Sequence, residues 1–491
     1  MTGASAAGAL LDACEIAAAV AAGRLQAAEV LAAARQRHEA THARLNALVQ
    51  PRFAESASEA MAVDKRPGGL LAGVPVSVKE CFPVRGLRTP LGIHRRSTLI
   101  DEADAEIVTR LRGAGAVIVG KANVPQAMYL HETDNPVFGR TSHPFAADRG
   151  PGGSSGGDAA AVAAGVVPLA VGTDLAGSLR QPAHACGIAA IMPRSEVLGR
   201  GGAIDTLPGQ RAVRSRAGFL ARSVAELTLA CVAVGASSGR PRAVHRIAWW
   251  ASPGPIPPSA AIQRGVAEAV GRLAAAQIEP IAIDGGLAVA AAWLHLAILS
   301  ADGGADIGRL FGGERPMRDV SRLLRLAGMP RWLRPAVAWA ARLAGRGTEA
   351  AGLLATGPRD TVGLAALLRA RESLAVRLAE AVQGCDAIVC PVSALPALRH
   401  GTAARLVLAA APCFLANLLD LPAGAVPVTT VRPDEEAGRP ASRDPVLRAA
   451  LATDRGSRGL PVGVQVIAAP GGDEATVLEV MRLIEQPPPR G

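Results

Sequence analysis

A segment in the first half of the chain alternates twice between flexible polar residues and apolar ones. A glycine- and serine-rich stretch from Gly150 to Gly157 leads into an alanine-rich run that predicts a helix. An apolar run at residues 166–171 predicts a short buried strand, and a second glycine- and serine-containing turn follows at 172–178. The pattern therefore predicts a helix–strand unit with Ser154 in the turn before it and Ser178 in the turn after it.

A second pattern, at residues 73–82, has the period of a strand. Its valines alternate with Pro75, Ser77 and Lys79, which is typical of a strand with one buried face. The alternation places Lys79 on the face opposite the valines. Taken by itself, such a lysine is most often an ordinary solvated side chain, so its role depends on what the fold brings near it.

Glycine-rich turns that carry hydroxyls indicate acyl-transfer chemistry. Glycine permits positive φ values and lets backbone amides approach a ligand closely, and amides that point the same way bind an anion. A serine hydroxyl beside such amides can attack a carbonyl and leave its oxyanion stabilised. A flexible linker has the same composition, but the helical and strand-forming flanks anchor both ends here. A Walker phosphate loop is excluded because no Gly-Lys-Ser or Gly-Lys-Thr follows.

The three segments together resemble the amidase signature family, whose members use a Ser–Ser–Lys triad. Lys79, Ser154 and Ser178 are separated by 75 and 24 positions (154 − 79 and 178 − 154), as in that family. The resemblance spans residues 70–488 and is closer to the fatty acid amide hydrolase branch. The segments that carry it are GVPVSVKECF at 73–82, NVPQAM at 123–128, NPVFGRTSHP at 135–144, LDLPAGAVPVTTV at 419–431, GLPVGVQ at 459–465 and LEVMRLIEQ at 478–486.

The resemblance implies an α/β fold of the amidase signature type. Residues 1–491 would form a single large domain with a central mixed β-sheet covered by helices on both sides. Residues 70–235 would form the signature core that holds the triad, and residues 310–346 would form a membrane-binding cap inserted in the domain. The sequence agrees with a single domain, since no linker, charge block or repeat separates its halves.

The resemblance also implies a role for each candidate site residue. Ser178 would be the nucleophile, Ser154 would relay the proton, and Lys79 would be the base, kept neutral because burial lowers the pKa of an ammonium group. A cis peptide would precede Ser154. The oxyanion hole and substrate contacts would come from Leu175, Ala176, Gly177, Ser178, Ser154 and Met128, with Tyr129 beside Met128.

The chain departs from the family pattern near the second serine turn. Ala176 stands where the pattern has a glycine, and alanine would strain the turn if its φ is positive. Met192 and Arg194 stand where the pattern has a lysine and a threonine. GFLAR at 218–222 occupies the position of Gly-Pro-Met/Leu-Ala-Arg. None of these positions belongs to the predicted triad.

Residues 320–348 are basic and amphipathic. They contain six arginines, no acidic residue, and Trp332 and Trp339. Pro330 and Pro335 predict a break into two short helices. Basic amphipathic helices with tryptophan are typical of membrane interfaces, and the segment lies where fatty acid amide hydrolases carry their cap. The alternative is a helical hairpin that packs on the body with its arginines in solvent.

The charge and the cysteines limit the partners. A formal net charge of +10 suits nucleic acid or an anionic membrane surface. No nucleic-acid-binding motif accompanies it, so we expect a membrane contact and no nucleic acid. Seven scattered cysteines without a C-x-x-C pair predict reduced, buried thiols. No metal-ligand spacing occurs, and no metal or cofactor is predicted. His184 is the one histidine predicted near the site, as a packing residue.

Neither apolar stretch of the chain predicts a membrane span. Residues 1–23 resemble a signal peptide, but Asp12 and Glu15 interrupt them and predict an amphipathic helix. Residues 406–419 are short, contain Pro412, and predict a buried helix and turn. We therefore predict a cytoplasmic protein, peripheral on the inner face of the membrane. A homodimer is a further expectation.

The predicted function is that of a serine hydrolase that cleaves lipophilic amides, such as fatty acid amides, to a carboxylic acid and an amine or ammonia. One alternative is a short-chain or aryl amidase whose cap does not bind membranes. Another is the A subunit of an aminoacyl-tRNA amidotransferase, which passes ammonia to a partner. A third is a binding protein with weak activity, suggested by Ala176. The acyl chain length and the leaving amine stay open.

Overall fold

The strand that carries Lys79 lies inside one mixed sheet of eleven strands, in the part of the chain, residues 11–485, that the computed structural model describes. The strands are β1 Leu48–Pro51, β2 Pro75–Lys79, β3 Val117–Ala122, β4 Leu169–Asp174, β5 Ala189–Met192, β6 Arg216–Ala221, β7 Arg246–Trp249, β8 Glu279–Ala282, β9 Ala387–Pro391, β10 Ala423–Thr430 and β11 Pro461–Ala468. Their order across the sheet is β1-β3-β2-β4-β6-β5-β10-β11-β9-β7-β8.

Helices flank this sheet. They are α1 Ala13–Ala21, α2 Ala27–Leu45, α3 Phe53–Lys65, α4 Glu106–Gly113, α5 Gly156–Ala163, α6 Arg180–Cys186, α7 Ser195–Leu198, α8 Val224–Ala233, α9 Ala260–Ala275, α10 Gly286–Leu299, α11 Ala305–Phe311, α12 Arg318–Ala327, α13 Arg334–Leu343, α14 Gly347–Ala355, α15 Thr361–Ala381, α16 Phe414–Leu418, α17 Pro445–Asp454 and α18 Glu474–Ile484. Short 3₁₀ helices span His94–Arg96, Gln126–Met128, Val407–Cys413 and Pro433–Glu436. The predicted α/β fold with a central mixed sheet is confirmed.

The strand β2 is buried on both faces, so the prediction of a half-buried strand is wrong. It pairs in parallel with β3 on one side and with β4 on the other. All of its residues are buried, including Ser77 and Lys79. The alternation in the sequence is real, but the polar positions face helix α5 instead of solvent, because helices cover a parallel strand on both sides.

The helix and strand predicted at residues 150–180 are present, and the strand boundaries differ. The helix α5 begins at Gly156, and β4 spans residues 169–174 instead of 166–171. Pro168 explains the later start, because proline has no amide to donate to the sheet and restricts the residue before it. The strand continues through Thr173 and Asp174 because both pair with β6.

The basic segment forms two short helices, as predicted. The helix α12 ends at Ala327 and α13 begins at Arg334, with Pro330 between them. Pro335 is different, because it lies in the first turn of α13, where proline is compatible with the helix. Only one of the two prolines therefore separates the helices.

The other predicted elements agree with the structure in part. The helix α1 agrees with the N-terminal prediction, whose first ten residues lie outside the described chain. Residues 406–419 form the predicted buried helix and turn. All seven cysteines are free, but Cys14 and Cys385 are only half-buried. Within residues 11–485, no helix is both long enough and apolar enough to cross a bilayer.

We predict that His295→Phe makes the fold more resistant to acid. His295 is buried and stacks on Phe414, and neither ring nitrogen has a hydrogen-bond partner. Burial lowers the pKa of His295 to about 3, whereas an unfolded histidine titrates at about 6.5. Between these values only the unfolded chain takes up the proton, so unfolding becomes easier by up to about 1.4 kcal/mol for each pH unit.

The measurement is urea unfolding of both proteins at about pH 7.5 and about pH 5. Above the unfolded pKa both states are neutral and this term vanishes. The midpoint of the variant relative to the wild type should therefore rise as the pH falls. A midpoint difference that is the same at both pH values would contradict the prediction.

Candidate active site

The amine of Lys79 and the hydroxyl of Ser154 form a direct hydrogen bond in the interior. Lys79 is the last residue of β2, and Ser154 lies in the turn before α5. The Nζ and Oγ atoms are 2.7 Å apart. Lys79 is fully buried and Ser154 is 3% exposed. The peptide between Gly153 and Ser154 is cis, as the resemblance implied.

Thr173 binds the other side of the amine. The Lys79 Nζ atom lies 2.8 Å from Thr173 Oγ1 and 3.3 Å from the Thr173 carbonyl oxygen. A neutral amine has two N–H bonds and one lone pair. If both N–H bonds are donated to Thr173, the lone pair is left for the proton of the Ser154 hydroxyl. The arrangement is that of a base in contact with a hydroxyl.

Burial lowers the pKa of Lys79. Neighbouring acidic groups, with Cys81 and Asp158 first, raise the pKa again, but burial outweighs them. Asp158 is itself fully buried, accepts a hydrogen bond from Ser77 Oγ at 2.9 Å, and has no partner for Oδ2. Burial raises the pKa of Asp158 to about 7. A carboxyl group that is partly neutral gives the ammonium form little support.

Ser178 lies in the turn between β4 and α6, against the Ser154 turn. The amide of Ser155 donates to the Ser178 carbonyl oxygen at 3.1 Å, which ties the two turns together. Ser178 is 7% exposed. Within residues 11–485, no hydrogen bond joins the Ser178 and Ser154 hydroxyls. The structure brings the three predicted residues together, and a side-chain bond joins only Lys79 and Ser154.

Asp174, the last residue of β4, holds the turn that carries Ser178. Its Oδ1 accepts from the amide of Gly177 at 2.7 Å, and its Oδ2 accepts from the amide of Leu179 at 3.1 Å. The Gly177 amide is therefore not free for an oxyanion, contrary to the prediction. Three neighbouring amides have no protein acceptor in the described chain, those of Leu175, Ala176 and Ser178.

Behind the turn, Asp174 forms a buried ion pair with Arg180. The Oδ1 and Nη2 atoms are 3.0 Å apart, and both side chains are fully buried. Asn417 donates to Asp174 at 2.9 Å and accepts from Arg180 at 2.6 Å. Burial by itself would raise the pKa of Asp174, but the charge and hydrogen bonds of Arg180 hold it well below its usual range. Asp174 stays ionised, so the turn keeps its acceptor.

The structure explains the departures from the family pattern around this turn. Ala176 is not among the described residues with positive φ, so the strain considered for it does not arise. The next residue, Gly177, has a φ of 91°. Met192 accepts through its sulfur from Asn417 at 3.3 Å, and Arg194 pairs with Glu474 at 3.1 Å. Met192 thus contacts the buried network of Asp174, Arg180 and Asn417, and Arg194 forms an ion pair with the first residue of α18.

The segment predicted to contact substrate is joined to the start of the predicted cap. Met128 is half-buried, has a φ of 56°, and packs against the main core. Tyr129 packs instead in a smaller cluster with Phe311 and Val320. Gln126 accepts through Oε1 from the amide of Met317 at 2.7 Å. The role of Met128 in substrate binding stays a prediction.

The prediction that His184 is the one histidine near the site is wrong. His184 is a packing residue, with its ring nitrogens bonded to backbone atoms of Leu395 and Gly463. His131 lies at the site, with Nε2 3.0 Å from the carbonyl oxygen of Ala176. No motif marks His131 in the sequence, because only the fold places residue 131 against the turn at 175–178.

Comparison with known proteins identifies the family of this chain. Residues 29–477 match the family described as Amidase. The chain is 33% identical to fatty-acid amide hydrolase 1 of Sus scrofa over 453 residues, which are 86% of this chain and 76% of the relative. It is 29% identical to fatty acid amide hydrolase 1 of Caenorhabditis elegans over 441 residues, 84% of this chain and 76% of the relative.

The fold agrees with the sequence comparison. A solved structure of a fatty acid amide hydrolase superposes with a TM-score of 0.83 at 22% identity, covering 99% of this chain and 87% of that chain. The chain therefore belongs to the amidase signature family, and it is an amide-hydrolysing enzyme.

We predict that Ser178→Ala abolishes labelling by a fluorophosphonate probe and lowers amide hydrolysis at least about a thousandfold. The Ser178 hydroxyl lies in the turn whose Leu175, Ala176 and Ser178 amides have no acceptor in the described chain. Peptide mapping of the labelled wild type should find the adduct on Ser178. Ser155→Ala is the matched control and should keep its labelling, because the Ser155 hydroxyl donates to the Thr173 carbonyl oxygen and the substitution leaves the backbone bond to Ser178 in place. An adduct on Ser154 would contradict the assignment.

We predict that Lys79→Ala removes most of the amidase activity, and that the relative loss is greatest below neutral pH. Hydroxide is scarce there and cannot replace the missing base. The measurement is kcat/KM as a function of pH. Lys121→Ala is the matched control, because Lys121 is equally buried but donates to Arg88 and Thr89. If both variants lose the same fraction of kcat/KM, the effect of Lys79→Ala comes from the loss of a buried lysine that stabilises the fold, and the prediction is contradicted.

Proposed function

We propose that the chain hydrolyses lipophilic amides through Lys79, Ser154 and Ser178, with Ser178 as the nucleophile and an acyl-enzyme as the intermediate. One observation carries the proposal, the 2.7 Å hydrogen bond between the buried Lys79 amine and the Ser154 hydroxyl. A buried amine with a lowered pKa is a base, and a hydroxyl bonded to it can pass protons in both directions.

In the first half of the reaction, Ser178 Oγ attacks the amide carbonyl carbon. Its proton passes to Ser154 Oγ, whose own proton passes to the Lys79 amine. The C–N bond breaks when Ser154 protonates the leaving nitrogen and takes a proton back from Lys79. The products are an acyl ester on Ser178 and a free amine or ammonia. The two hydroxyls must approach each other for this step, and catalytic hydrogen bonds often shorten when substrate binds.

In the second half, water attacks the ester carbonyl carbon. Its proton passes through Ser154 to Lys79 and returns through Ser154 to the departing oxygen of Ser178. The carboxylic acid is released and all three side chains regain their starting protonation. Lys79 therefore accepts and returns one proton in each half of the reaction, so the same lysine acts throughout the cycle.

The negative charge of the tetrahedral intermediate falls on the former carbonyl oxygen. The unpartnered amides beside Ser178, those of Leu175, Ala176 and Ser178, supply donors for this oxygen. Removing one such donor lowers the rate by about a hundredfold or more. The amide of Gly177 contributes indirectly, because its bond to Asp174 fixes the turn.

The lipophilic substrate class rests on similarity and on the surroundings of the site. The two fatty acid amide hydrolase relatives align with 86% and 84% of this chain. Tyr129 and Gln126 link the site segment to residues 311–320, at the start of the predicted cap. A substrate that enters along this contact passes apolar side chains, which favours an acyl chain over a polar substrate.

The proposal includes a cytoplasmic protein whose cap, residues 310–346, binds the inner face of the membrane. Three large apolar side chains on α13 and the turn before it are exposed to solvent: Trp332 at 80%, Trp339 at 66% and Leu343 at 70%. Adjacent exposed apolar side chains of this size indicate an interaction surface. Tryptophan favours the membrane interface because its ring is apolar and its N–H is polar.

The arginines contribute less positive charge to this surface than the sequence suggested. Arg334 is buried and donates to backbone carbonyls, including that of Met329 at 2.9 Å. Arg322 and Arg346 both pair with Glu349. Of the six arginines in residues 320–348, three are exposed and have no acidic partner in the described chain: Arg325, Arg331 and Arg342. Each contributes about 1 kcal/mol near an anionic surface.

A short-chain or aryl amidase is the second candidate, and the partial neutralisation of the cap by Glu349 favours it. The test is the activity of the purified chain on a panel that contains oleamide, acetamide and an acyl anilide. Labelling by a fluorophosphonate and a kcat/KM that rises with acyl length support the proposal. A preference for acetamide or the anilide supports the second candidate. Activity on none of them points to an amidotransferase subunit that needs its partner.

We predict that Trp332→Ala with Trp339→Ala weakens binding to anionic liposomes and raises KM for long-chain amides. The two indoles are the largest of the exposed apolar side chains on this segment, so their loss should weaken insertion into the interface. The proposed triad lies elsewhere in the chain, so turnover of a small soluble amide should barely change. Flotation at low and high salt measures the binding. Val362→Ala with Val376→Ala is the matched control, since these exposed valines lie on α15. Absence of wild-type flotation at low salt would contradict the cap assignment.

A further inference from the structure

We propose that His131 is a positioning residue that holds the peptide between Ala176 and Gly177, and thereby aims the neighbouring amides at the substrate oxygen. The inference rests on the proposed function, because it assigns a purpose to the amides beside Ser178. It adds a residue that no motif in the sequence marks. His131 acts through the backbone and does not itself react.

The peptide between Ala176 and Gly177 is bonded at both ends. Its carbonyl oxygen lies 3.0 Å from His131 Nε2, and its N–H donates to Asp174 Oδ1 at 2.7 Å. The C=O and N–H of one peptide lie in a single rigid plane. Two partners on opposite sides therefore fix the orientation of the plane, whereas one partner would allow it to rotate.

The two anchors differ in strength. Asp174 is fully buried and is held by Arg180 and Asn417. His131 is half-buried and is the partner on the other side of the peptide. Gly177 follows the peptide directly with a φ of 91°, and glycine resists rotation less than any other residue. The bond to His131 is therefore the second restraint, beside Asp174, that opposes rotation at the most flexible point of the turn.

Rotation of this peptide would move the oxyanion donors. The amides of Ala176 and Ser178 flank the plane and have no protein acceptor in the described chain. Their directions follow the backbone dihedrals on either side of the plane. Electrostatic stabilisation of an oxyanion depends on donors that are already oriented before the reaction. Loss of the anchor should therefore lower the rate of the chemical step and leave substrate binding nearly unchanged.

The backbone of His131 also touches the other serine turn. A Cβ atom on Gly153 would lie 2.8 Å from the Leu130 carbonyl oxygen and 3.2 Å from the His131 carbonyl carbon. Segment 130–132 thus packs directly on the peptide that precedes Ser154. The backbone of His131 contacts the turn that carries Ser154, and its side chain contacts the turn that carries Ser178. His131 therefore couples the positions of the two serines.

The protonation of His131 is compatible with this role over a wide pH range. A carbonyl oxygen can only accept, so Nε2 carries the proton. Burial lowers the pKa of His131 to about 4, with Ala176 and Asp174 raising it and Lys79 and Arg180 lowering it. The ring is neutral at neutral pH, and protonation of Nδ1 in acid leaves the Nε2–H bond in place. The contribution of His131 should therefore not change with pH, unlike that of a general base.

The test compares two substitutions with the wild type. His131→Phe keeps a ring and removes the donor, and His131→Gln keeps an N–H donor at a similar reach. We expect His131→Phe to lower kcat for an amide and the rate of fluorophosphonate labelling by about tenfold or more, with KM little changed. His131→Gln should recover most of the loss, and the pH profiles of all three proteins should be parallel.

The control is His143→Phe. His143 is buried and its Nε2 also lies near a backbone carbonyl, that of Ala185 at 2.8 Å. It should lower the stability of the fold and leave kcat at the wild-type value. If His131→Phe does not fold, His131→Ala is assayed with and without added imidazole, and recovery of the labelling rate by imidazole supports the proposal.

Three results would overturn the inference. Normal labelling and kcat in a folded His131→Phe would show that the turn needs no second anchor. Equal losses in His131→Phe and His131→Gln would show that ring shape matters and the donor does not. A change in the form of the pH profile would make His131 a proton-transfer group. If wild-type Ser178 is not labelled at all, the proposed function fails first and the inference fails with it.

Discussion

The desolvation of one amine is the constraint on which the rest of the structure depends. A lysine in water keeps its proton at neutral pH, so Lys79 can accept one only where water is excluded. Its strand, β2, lies between β3 and β4 and is buried along its whole length. The amine then needs polar partners of its own, and Thr173 and Ser154 supply them. The burial that lowers the pKa of Lys79 therefore also determines which residues must surround its amine.

The two buried ionisable residues of this site, Lys79 and Asp174, differ in whether their surroundings stabilise the charged form. Lys79 is buried among acidic groups that do not compensate its desolvation. Asp174 is buried as deeply, but Arg180 and Asn417 surround it with donors, so it keeps its charge. A fixed negative charge is what the second turn requires, because only a strong acceptor holds the Gly177 and Leu179 amides in place. Burial thus has two outcomes: the pKa of Lys79 falls because its charge is not compensated, and Asp174 stays ionised because its charge is compensated.

Some features followed from the sequence because their physical cause is local. The alanine-rich run after residue 157 has a high intrinsic helix propensity and lies in α5, and the glycines beside Ser154 permit a turn in which an added Cβ atom would clash. The strand after it begins and ends three residues later than the apolar run predicts, because pairing with β6 extends it through Asp174. The alternation of valines at 73–82 predicts a strand correctly, but it does not predict that both faces of the strand are buried. An alternating pattern distinguishes the two faces and does not show what covers the polar one.

The sequence by itself determined which residue types stand at positions 79, 154 and 178, and that the two serines lie in glycine-containing turns. It also determined the fold class, because the apolar pattern and the family resemblance span most of the chain. Only the tertiary structure decided which amides have no acceptor, that Glu349 pairs with Arg322 and Arg346, and that His131 contacts Ala176. These contacts join residues on different elements, and their energies depend on distance and burial, which no local pattern encodes.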